Sequence, residues 1–423
     1  MRANSACDGA CPRWPVLFVL VFLLAVATTG AQVPAGAPDD VGLSAKRLDR
    51  IGEMIQRAID AKQISGAVTV VARRGHVAHF EARGLMNVEA NAPMRKDAIF
   101  PIASMTKPVT GVAILMLVEE GKIRLADPVS RFVPEFKETK VAIQGSGSRG
   151  EEGDIYTVPA KREVTVHDLI THTSGLGSGG VASDATSRIA PRDETGTVAD
   201  WAAALGAAPL DFQPGTRWRY SGLAGIDTLG RIVEVASGLT FDEFLRQRIF
   251  EPLGMKDTAF NVPEDKKSRV VRLYRRTPEG LELFPPPEWL ATTTLHGGGG
   301  GLWSTAEDYL QFAQMLVNGG ELNGTRLLGP RTVELMASNH VGDLYEKVGA
   351  VGLGFGLTVD VVLDGVAARG DHRSTGSFGW LGAFGTAWWV DPGEDLTAIL
   401  MVQTPGGPLR ADFQNAVIQA IVD

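Results

Sequence analysis

The side chains best suited to covalent chemistry lie in the segment Ser104-Met105-Thr106-Lys107. This segment is predicted to begin a helix, because Pro108 lacks a backbone N–H and is tolerated only in a first helical turn. Ser104 and Lys107 are three residues apart and therefore project from one helix face. A serine hydroxyl becomes a nucleophile when a base takes its proton, and an amine one turn away can do so. The S-x-x-K spacing alone also fits a serine that only caps a helix, so further residues must decide.

Tyr220, in the segment Tyr220-Ser221-Gly222, is a second candidate. Its phenol can act as a general base or pass a proton to a leaving group. A single tyrosine at the start of a helix more often serves packing. Its assignment to catalysis therefore depends on its partners.

The third candidate is the glycine-bearing segment Gly379-Trp380-Leu381-Gly382-Ala383, which leads into a predicted strand. Glycine lets the backbone of a strand come close to a substrate. The N–H after Gly382, that of Ala383, can donate to an oxyanion that develops during acyl transfer. The alternative is a glycine-rich start of a strand with aromatic packing.

Two other motifs are interpreted as structural. The segment from His172 to Leu176 is predicted to end a short helix, with Gly175 as a left-handed cap. The five glycines from Gly297 to Gly301 are not followed by Gly-Lys-Ser/Thr, so a nucleotide-binding loop is not indicated. No serine lies in a G-x-S-x-G sequence, which argues against the nucleophile elbow of α/β-hydrolases.

The composition excludes several classes of protein. The chain has 423 residues, of which 44% are hydrophobic and 21% charged, as in ordinary globular proteins. It carries 41 basic and 49 acidic residues, a balance that gives no electrostatic reason to expect nucleic acid as a partner. The seven histidines form no zinc-binding motif. We therefore expect neither a metal nor a cofactor.

The first 31 residues have the pattern of a cleavable secretory signal. Arg2 and Arg13 precede an apolar run over residues 16–27, which at 12 residues is short. A membrane-spanning helix needs about 20 residues, so a permanent anchor is the less favoured alternative. We expect cleavage after Ala27 or Ala31 and a periplasmic or secreted protein without a stable membrane span. Both cysteines lie in this leader.

The hydrophobic pattern predicts an α/β protein of the α+β type. Strands are predicted near both chain ends, at residues 67–72, 76–82, 385–390 and 396–403, and helices at 44–63, 105–120 and 409–422. The pattern from 165 to 317 is mostly helical, and residues 145–154 are predicted to be a surface loop. We therefore expect an antiparallel sheet built from both chain termini and flanked by helices, with an inserted helical region. The predicted units are a sheet domain at 40–103 plus 290–423 and a mainly helical domain at 104–289, with the cleft between them.

In this order, the Ser104-x-x-Lys107 motif, Tyr220 and the glycine-bearing strand resemble the serine β-lactamase and penicillin-binding-protein superfamily. The chain looks most like the class C β-lactamase-like branch, which includes D-Ala-D-Ala peptidases and the family VIII carboxylesterases. Three further segments support the resemblance: residues 169–176, 252–255 and 300–305. The resemblance implies a β-lactamase/transpeptidase-like fold. It implies that Ser104 is acylated, that Lys107 and Tyr220 act as base and proton relay, and that the N–H groups of Ser104 and Ala383 form the oxyanion hole.

Two departures from the family pattern bear on the substrate. The second motif is usually Tyr-x-Asn, but this chain has Gly222 in the place of the asparagine. The third motif usually begins with Lys or His, but Trp380-Leu381-Gly382 stands in that register. Tryptophan offers an apolar face and one N–H donor in place of a cation that helps to hold a substrate carboxylate. This favours uncharged esters. The motif is similar to the Trp-Gly-Gly typical of family VIII esterases, and we expect Trp380, Leu381 and Gly382 to bind substrate, with Leu381 narrowing or redirecting the pocket.

The leading hypothesis is a serine carboxylesterase that hydrolyses short-chain acyl esters through an acyl-enzyme on Ser104. The first alternative is a β-lactamase or D-Ala-D-Ala carboxypeptidase. The second alternative is an inactive relative that binds such ligands without turnover. The partner in each case is a small-molecule ester or β-lactam, and the oligomeric state stays open.

Overall fold

The computed structural model describes Met1 and residues 32–146, 152–291, 293–368 and 371–423. The predicted leader, apart from Met1, and both cysteines lie outside these residues, as does the centre of the predicted loop at 145–154. In the described ranges, no helix is both long and apolar enough to span a bilayer.

A single large sheet holds eight strands from both ends of the chain. Their spatial order is Leu353–Phe355, Asp360–Val362, Phe378–Leu381, Ala387–Asp391, Leu396–Val402, Gly66–Arg73, His76–Asn87 and Ala92–Pro93. Every neighbouring pair in it is antiparallel. The strands of the described chain are β1 (Gly66–Arg73), β2 (His76–Asn87), β3 (Ala92–Pro93), β4 (Phe100–Pro101), β5 (Lys140–Ser146), β6 (Glu152–Pro159), β7 (Leu273–Thr277), β8 (Gly280–Phe284), β9 (Trp303–Ser304), β10 (Glu321–Leu322), β11 (Thr325–Arg326), β12 (Leu353–Phe355), β13 (Asp360–Val362), β14 (Phe378–Leu381), β15 (Ala387–Asp391) and β16 (Leu396–Val402).

Helices cover both faces of this sheet, and most of them lie in the segment between its N-terminal and C-terminal strands. They are α1 (Ala45–Asp60), α2 (Thr106–Glu119), α3 (Val166–Ile170), α4 (Ser183–Ile189), α5 (Val198–Ala207), α6 (Ala224–Ser237), α7 (Phe241–Leu245), α8 (Glu251–Leu253), α9 (Ala306–Val317), α10 (Pro330–Met336) and α11 (Leu409–Ile418). Short 3₁₀ or π turns occupy Pro38–Val41, Ala103–Met105, Val129–Arg131, Pro134–Glu138, Arg246–Phe250, Glu264–Arg269, Glu288–Leu290 and Glu346–Val348.

The central strand β1 packs against the hydrophobic cores on both faces of the sheet. All eight of its residues are buried. Successive side chains of a strand point to opposite faces, and here Val70 joins the large core that includes α2 and α9, while Val71 joins the smaller core beneath α1 and α11. Burial on both faces accounts for the mainly apolar sequence of this strand, in which Thr69 is the one interior polar residue.

The predicted fold class is confirmed: an antiparallel sheet from both chain termini is flanked by helices, with a mainly helical region inserted. That region nevertheless contains two hairpins that the sequence pattern did not predict, β5–β6 and β7–β8. Hairpin β5–β6 corrects the prediction at 145–154, because its strands extend to Ser146 and resume at Glu152. Its pairing comes from backbone groups, which do not depend on an apolar pattern at the turn. The division into domains at 40–103 plus 290–423 and at 104–289 stays a prediction.

Strands β4 and β14, helix α2 and the start of α6 converge on the turn that carries Ser104. The strand β4, which pairs with β9, leads into the 3₁₀ turn Ala103–Met105 that carries Ser104. Helix α2 then runs through the large core with nearly all of its residues buried. Tyr220 lies just before α6, and the end of β14 passes beside the 3₁₀ turn.

The two ends of the chain are joined by Arg73, at the end of β1. Its side chain is 3% exposed and forms ion pairs with Glu394 and Asp423. It also donates hydrogen bonds to the carbonyl oxygens of Val41, at 3.0 Å, and Gly42, at 2.9 Å. One guanidinium therefore binds two buried carbonyls of the N-terminal segment and two carboxylates of the C-terminal segment.

We expect Arg73→Met to destabilise the protein by about 2–3 kcal/mol, because it leaves the buried carbonyl oxygens of Val41 and Gly42 without their donor. The matched control is Arg74→Met, since Arg74 is 46% exposed and pairs only with the exposed Asp423. That change should cost less than about 1 kcal/mol. Urea unfolding followed by fluorescence measures both. Equal losses in the two variants would contradict this account of Arg73.

Candidate active site

Ser104 sits at a strained turn that the surrounding core enforces. The preceding residue, Ala103, is buried and has a positive φ of 46°, which is unfavourable for a residue with a Cβ. Ile102 donates its N–H to the Leu302 carbonyl at 3.0 Å and accepts from Met105 N–H at 3.0 Å, so the turn is fixed on both sides. The hydroxyl of Ser104 is thereby directed out of the end of α2.

Lys107 is completely buried, and its amine is held by three oxygen atoms. The Nζ atom donates to Ser104 Oγ at 3.0 Å and to the carbonyl oxygens of Gly222, at 2.6 Å, and Gly299, at 2.5 Å. A protonated amine has three N–H donors for these three oxygens. A neutral amine has two, which the carbonyls accept, so its lone pair then faces Ser104. The arrangement therefore allows Lys107 to take a proton from Ser104 and to return it.

Tyr220 approaches the same serine oxygen from the other side. Its hydroxyl donates to Ser104 Oγ at 2.6 Å, and its ring centre lies 4.8 Å from Lys107 Nζ. The structure thus brings together all three residues that the sequence predicted to be catalytic, although 116 positions separate Ser104 from Tyr220. A nucleophile in contact with two proton-transfer groups is the arrangement that acyl transfer requires. Their catalytic roles stay a prediction.

An aromatic shell holds the ring of Tyr220 in place. Its ring centre lies 4.8 Å from that of His172 and 5.7 Å from that of Trp380. Phe355 contacts both of these partners, with centroid distances of 5.4 Å and 5.3 Å. Trp218 packs on Phe355 at 5.2 Å. These contacts restrict the rotation of a side chain whose hydroxyl must stay on Ser104.

His172 is a site residue that sequence analysis missed. It does lie in the predicted turn, with a φ of 58°, and Gly175 has the expected positive φ of 78°. Its ring, however, is buried beneath Tyr220, and its Nδ1 accepts the N–H of Ser221 at 3.3 Å. Burial keeps the pKa of His172 well below its ordinary value, so the ring is neutral at neutral pH. The signals in the sequence were its position in the segment 169–176, which supports the family resemblance, and the left-handed glycine three residues later.

The end of strand β14 and the residue after it bring two of the three predicted binding residues to the site. Trp380 contacts Tyr220, and Gly382 packs against the Ile102 carbonyl beside Ser104. Leu381 does not reach the site, which corrects the expectation that it narrows the pocket. It lies opposite Ala387 and packs with the core beneath α1 and α11, on the other face of the sheet. Alternation along the strand is the reason.

The predicted oxyanion donors are the backbone N–H groups of Ser104 and Ala383. They lie on the two segments that meet where Gly382 packs against the Ile102 carbonyl. Within the described part of the chain, no acceptor engages the backbone N–H of Ser104 or of Ala383. Ala383 lies in a tight turn closed by a hydrogen bond from Gly385 N–H to the Gly382 carbonyl at 3.0 Å. Both N–H groups are therefore available to an oxyanion, and this role stays a prediction.

The run of glycines at 297–301 supplies one of the carbonyls on Lys107. A Cβ at Gly298 would lie 2.8 Å from Thr110 Oγ1, and one at Gly299 would lie 2.9 Å from Leu223 Cα. Side chains at these positions would push the loop away from α2 and α6. The glycines thus let the Gly299 carbonyl reach Lys107, a role that the sequence did not reveal. Among the described residues, no group of three or more His, Cys, Asp or Glu side chains is arranged to hold a metal ion.

Comparison with known proteins agrees with this geometry. A profile of the family described as Beta-lactamase matches residues 51–423. Protein Rv1367c of Mycobacterium tuberculosis is 38% identical over 368 residues, which cover 84% of this chain and 90% of that protein. Esterase EstB of Burkholderia gladioli is 30% identical over 424 residues, which cover 92% and 99% of the two chains. The solved structure of EstCE1, a hydrolase with promiscuous acyltransferase activity, has a TM-score of 0.75 at 26% identity and covers 88% of this chain and 99% of its own.

We expect Gly382→Ala to slow the reaction of Ser104 with a fluorophosphonate probe by at least about 10-fold, because misplacing reacting groups is costly. The new Cβ would lie 1.9 Å from Thr386 Oγ1 and 2.6 Å from the Ile102 carbonyl, so β14 must move away from Ser104. Gly329→Ala is the control, since its Cβ would meet only the end of the Glu119 side chain, at 3.3 Å. Intact-mass kinetics measure the labelling. A normal rate in the Gly382 variant would contradict the close approach.

His172 should make the protein less stable in acid. The unfolded chain binds a proton below the ordinary pKa of 6.5, whereas the buried ring resists protonation, so stability is lost as the pH falls below 6.5. The contribution is at most about 1.4 kcal/mol per pH unit. His172→Asn keeps an acceptor for Ser221 and tolerates a positive φ, but it does not titrate. Its free energy of unfolding should therefore fall less between about pH 7 and about pH 5 than that of the wild type.

Urea unfolding across this pH range measures the effect. The control is His76→Asn, which removes one imidazole from the exposed start of β2. The same slope in the wild type and in the His172 variant would show that His172 does not cause the acid sensitivity.

Proposed function

Because this chain belongs to the β-lactamase family, whose members related to it include esterases, we propose that it is a serine carboxylesterase that hydrolyses short-chain acyl esters through an acyl-enzyme on Ser104. The resemblance to the superfamily is confirmed, and esterase relatives support hydrolase activity. The ester substrate and the placement among the family VIII esterases are part of the proposal. The observation that carries it is the convergence of Lys107 Nζ and Tyr220 Oη on Ser104 Oγ.

The proposed acylation step uses these contacts directly. Ser104 Oγ attacks the ester carbonyl while its proton passes to the pair formed by Lys107 and Tyr220. The N–H groups of Ser104 and Ala383 stabilise the negative charge on the tetrahedral intermediate. The bond to the alcohol oxygen then breaks, and the leaving alkoxide takes the proton from the same pair.

The proposed deacylation step repeats this transfer with water. A water molecule attacks the carbonyl carbon of the acyl group on Ser104 and gives its proton to Lys107 and Tyr220. The bond between the acyl carbon and Ser104 Oγ breaks, the serine recovers a proton, and a carboxylic acid leaves. Every proton in the cycle is thus handled by two side chains already in contact with the nucleophile.

The preference for uncharged esters rests on two positions beside the nucleophile. Trp380 stands where the resemblance expects a cation, and it presents an indole that contacts Tyr220. Gly222 stands where the resemblance expects an amide, and a Cβ there would meet nothing within 4 Å. The space beside the Lys107 amine is therefore open where other members would place a side chain that orients a peptide or lactam carbonyl. An ester needs less of this orientation than a peptide because its carbonyl is more electrophilic than that of an unstrained amide.

The apolar surroundings of the nucleophile fit the same substrate class. Ala103, Trp303 and Phe384 belong to one apolar cluster beside Ser104. Trp289 stacks on Phe384 with a centroid distance of 5.9 Å. Of these residues the half-buried Trp289 offers contact area to an acyl chain, and the buried ones behind it add no charge.

The family itself favours a second candidate function, a β-lactamase or D-Ala-D-Ala carboxypeptidase. With Lys107 and Tyr220 to move its proton, Ser104 can be acylated by a lactam as well as by an ester, so only the positions of Trp380 and Gly222 argue for the ester. An inactive ligand-binding protein is the third candidate, and the direct contacts on Ser104 Oγ disfavour it. Export to the periplasm or beyond, guided by residues 1–31, is also part of the proposal.

We expect p-nitrophenyl butyrate to form an acyl adduct on Ser104 within milliseconds, and a cephalosporin to form one slowly or not at all. Rapid acid quenching, intact mass and a peptide map identify the adduct. Ser104→Ala should abolish the adduct and lower kcat by at least about 1,000-fold, because no other group replaces the nucleophile.

The matched control is Ser338→Ala, since Ser338 donates only to the Glu334 carbonyl at the end of α10. This variant should keep full activity. Faster consumption of the cephalosporin than of the ester would favour the β-lactamase. Binding without any adduct or turnover would favour the inactive relative.

A further inference from the structure

Asp227 is a buried carboxylate beside the catalytic lysine that the proposed mechanism leaves without a role. It lies in the first turn of α6 and is completely inaccessible to solvent. Its Oδ2 forms an ion pair with Arg192, and its Oδ1 accepts the N–H of Gly299 at 2.6 Å. A buried charge with a partner on each oxygen is costly to form, so its position calls for an explanation.

Gly299 connects this carboxylate to the lysine. Its N–H points to Asp227, while its carbonyl oxygen accepts from Lys107 Nζ at 2.5 Å. The residue is therefore held on both sides of its Cα. Any movement of the N–H away from Asp227 also moves the carbonyl that orients the lysine amine.

The close packing of the glycine run shows that Asp227 fixes this loop. A Cβ at Gly297 would lie 2.8 Å from Asp227 Oδ2, and one at Gly299 would lie 3.1 Å from the Gly222 carbonyl. The loop thus fits between Asp227 and the second carbonyl on Lys107. Glycine is required at both positions for this fit.

Arg192 ties the same carboxylate to the chain that leads into the loop. It pairs with Glu194 at 2.5 Å, and the Glu194 carbonyl accepts from Thr294 N–H at 3.1 Å and from Thr293 Oγ1 at 2.7 Å. Burial raises the pKa of Asp227, and the Arg192 guanidinium and the Gly299 N–H oppose that rise. The charge pair and the loop are therefore one connected unit.

We propose that Asp227 is a positioning residue for Lys107. By holding Gly299 it keeps the Gly299 carbonyl oxygen on the lysine amine, beside that of Gly222, and so directs the remaining amine position at Ser104. The proposal rests on the proposed acyl-enzyme function, because it concerns how the base reaches the nucleophile. Asp227 itself touches neither substrate nor the reacting atoms.

The test is Asp227→Asn, which replaces two acceptor oxygens by one. The amide oxygen should turn to Arg192, since a hydrogen bond to a charged donor is the stronger one. The amide NH₂ then faces the Gly299 N–H, and the carbonyl of Gly299 loses its fixed position. We expect kcat for p-nitrophenyl butyrate to fall about 30- to 100-fold, with KM within about threefold of the wild type.

The double variant Arg192→Met with Asp227→Asn separates positioning from charge. Without the guanidinium, the amide oxygen is free to accept from Gly299 again. We expect kcat to recover to within about fivefold of the wild type. A purely structural role for the ion pair would lower the melting temperature of both variants but leave kcat of the folded protein unchanged.

Asp257→Asn is the matched control, because Asp257 pairs with Arg269 and Lys266 away from Ser104. It should lower stability with kcat within about twofold of the wild type. The labelling rate of Ser104 by a fluorophosphonate is measured in parallel for all variants. This probe reports the reactivity of the nucleophile without requiring an ester to be the substrate.

Each outcome decides between the two proposals. Slow labelling of the Asp227→Asn variant and recovery in the double variant support the positioning role, even if the wild type hydrolyses no ester and the proposed function fails. Wild-type labelling by the folded Asp227→Asn protein overturns the positioning role. An equal loss in the Asp257 control also overturns it, since general destabilisation would then explain the effect. A wild type that is neither labelled nor active overturns both.

Discussion

The constraint on which the site depends is the complete burial of a lysine amine. An amine removed from water must find its hydrogen-bond partners within the protein, and here it finds two backbone carbonyls and one serine hydroxyl. Carbonyls from two distant segments must therefore meet at one point. This convergence depends on the glycines at 297–301, which let their loop pack closely against α2 and the start of α6. Once the two carbonyls are bound, one position on the Lys107 amine is left, either an N–H or the lone pair, and it faces Ser104 Oγ.

The sheet makes this convergence possible because it is covered on both faces. The face that carries Trp380 belongs to the site, and the opposite face, which carries Leu381, belongs to the core beneath α1 and α11. A single strand thus lines the candidate site and packs in the core through alternate residues. The glycine at 382 is needed because the strand passes directly against the Ile102 carbonyl.

The sequence predicts residue types and their order better than their neighbours. Ser104, Lys107 and Tyr220 are recognisable because acyl transfer needs those side chains, and the strands at both chain ends are recognisable from their apolar pattern. His172 and Asp227 are not, because their importance comes from tertiary contacts that no local pattern records. The motif places Leu381 beside Trp380 and Gly382 in sequence, but alternation along the strand turns its side chain to the opposite face of the sheet. Hairpin β5–β6 was missed because a polar turn obscured its two strands.

The pairing of β1 with β16 has a consequence for how the chain folds. These central strands join residues near 70 to residues near 399, so the middle of the sheet cannot close until almost the whole chain is available. Such distant pairings give a high contact order, which slows folding. Until β16 arrives, β1 has an open apolar edge of the kind that promotes aggregation. A protein with this topology depends on conditions that protect the N-terminal half during synthesis, and the Arg73 ion pairs form only when the last residues are in place.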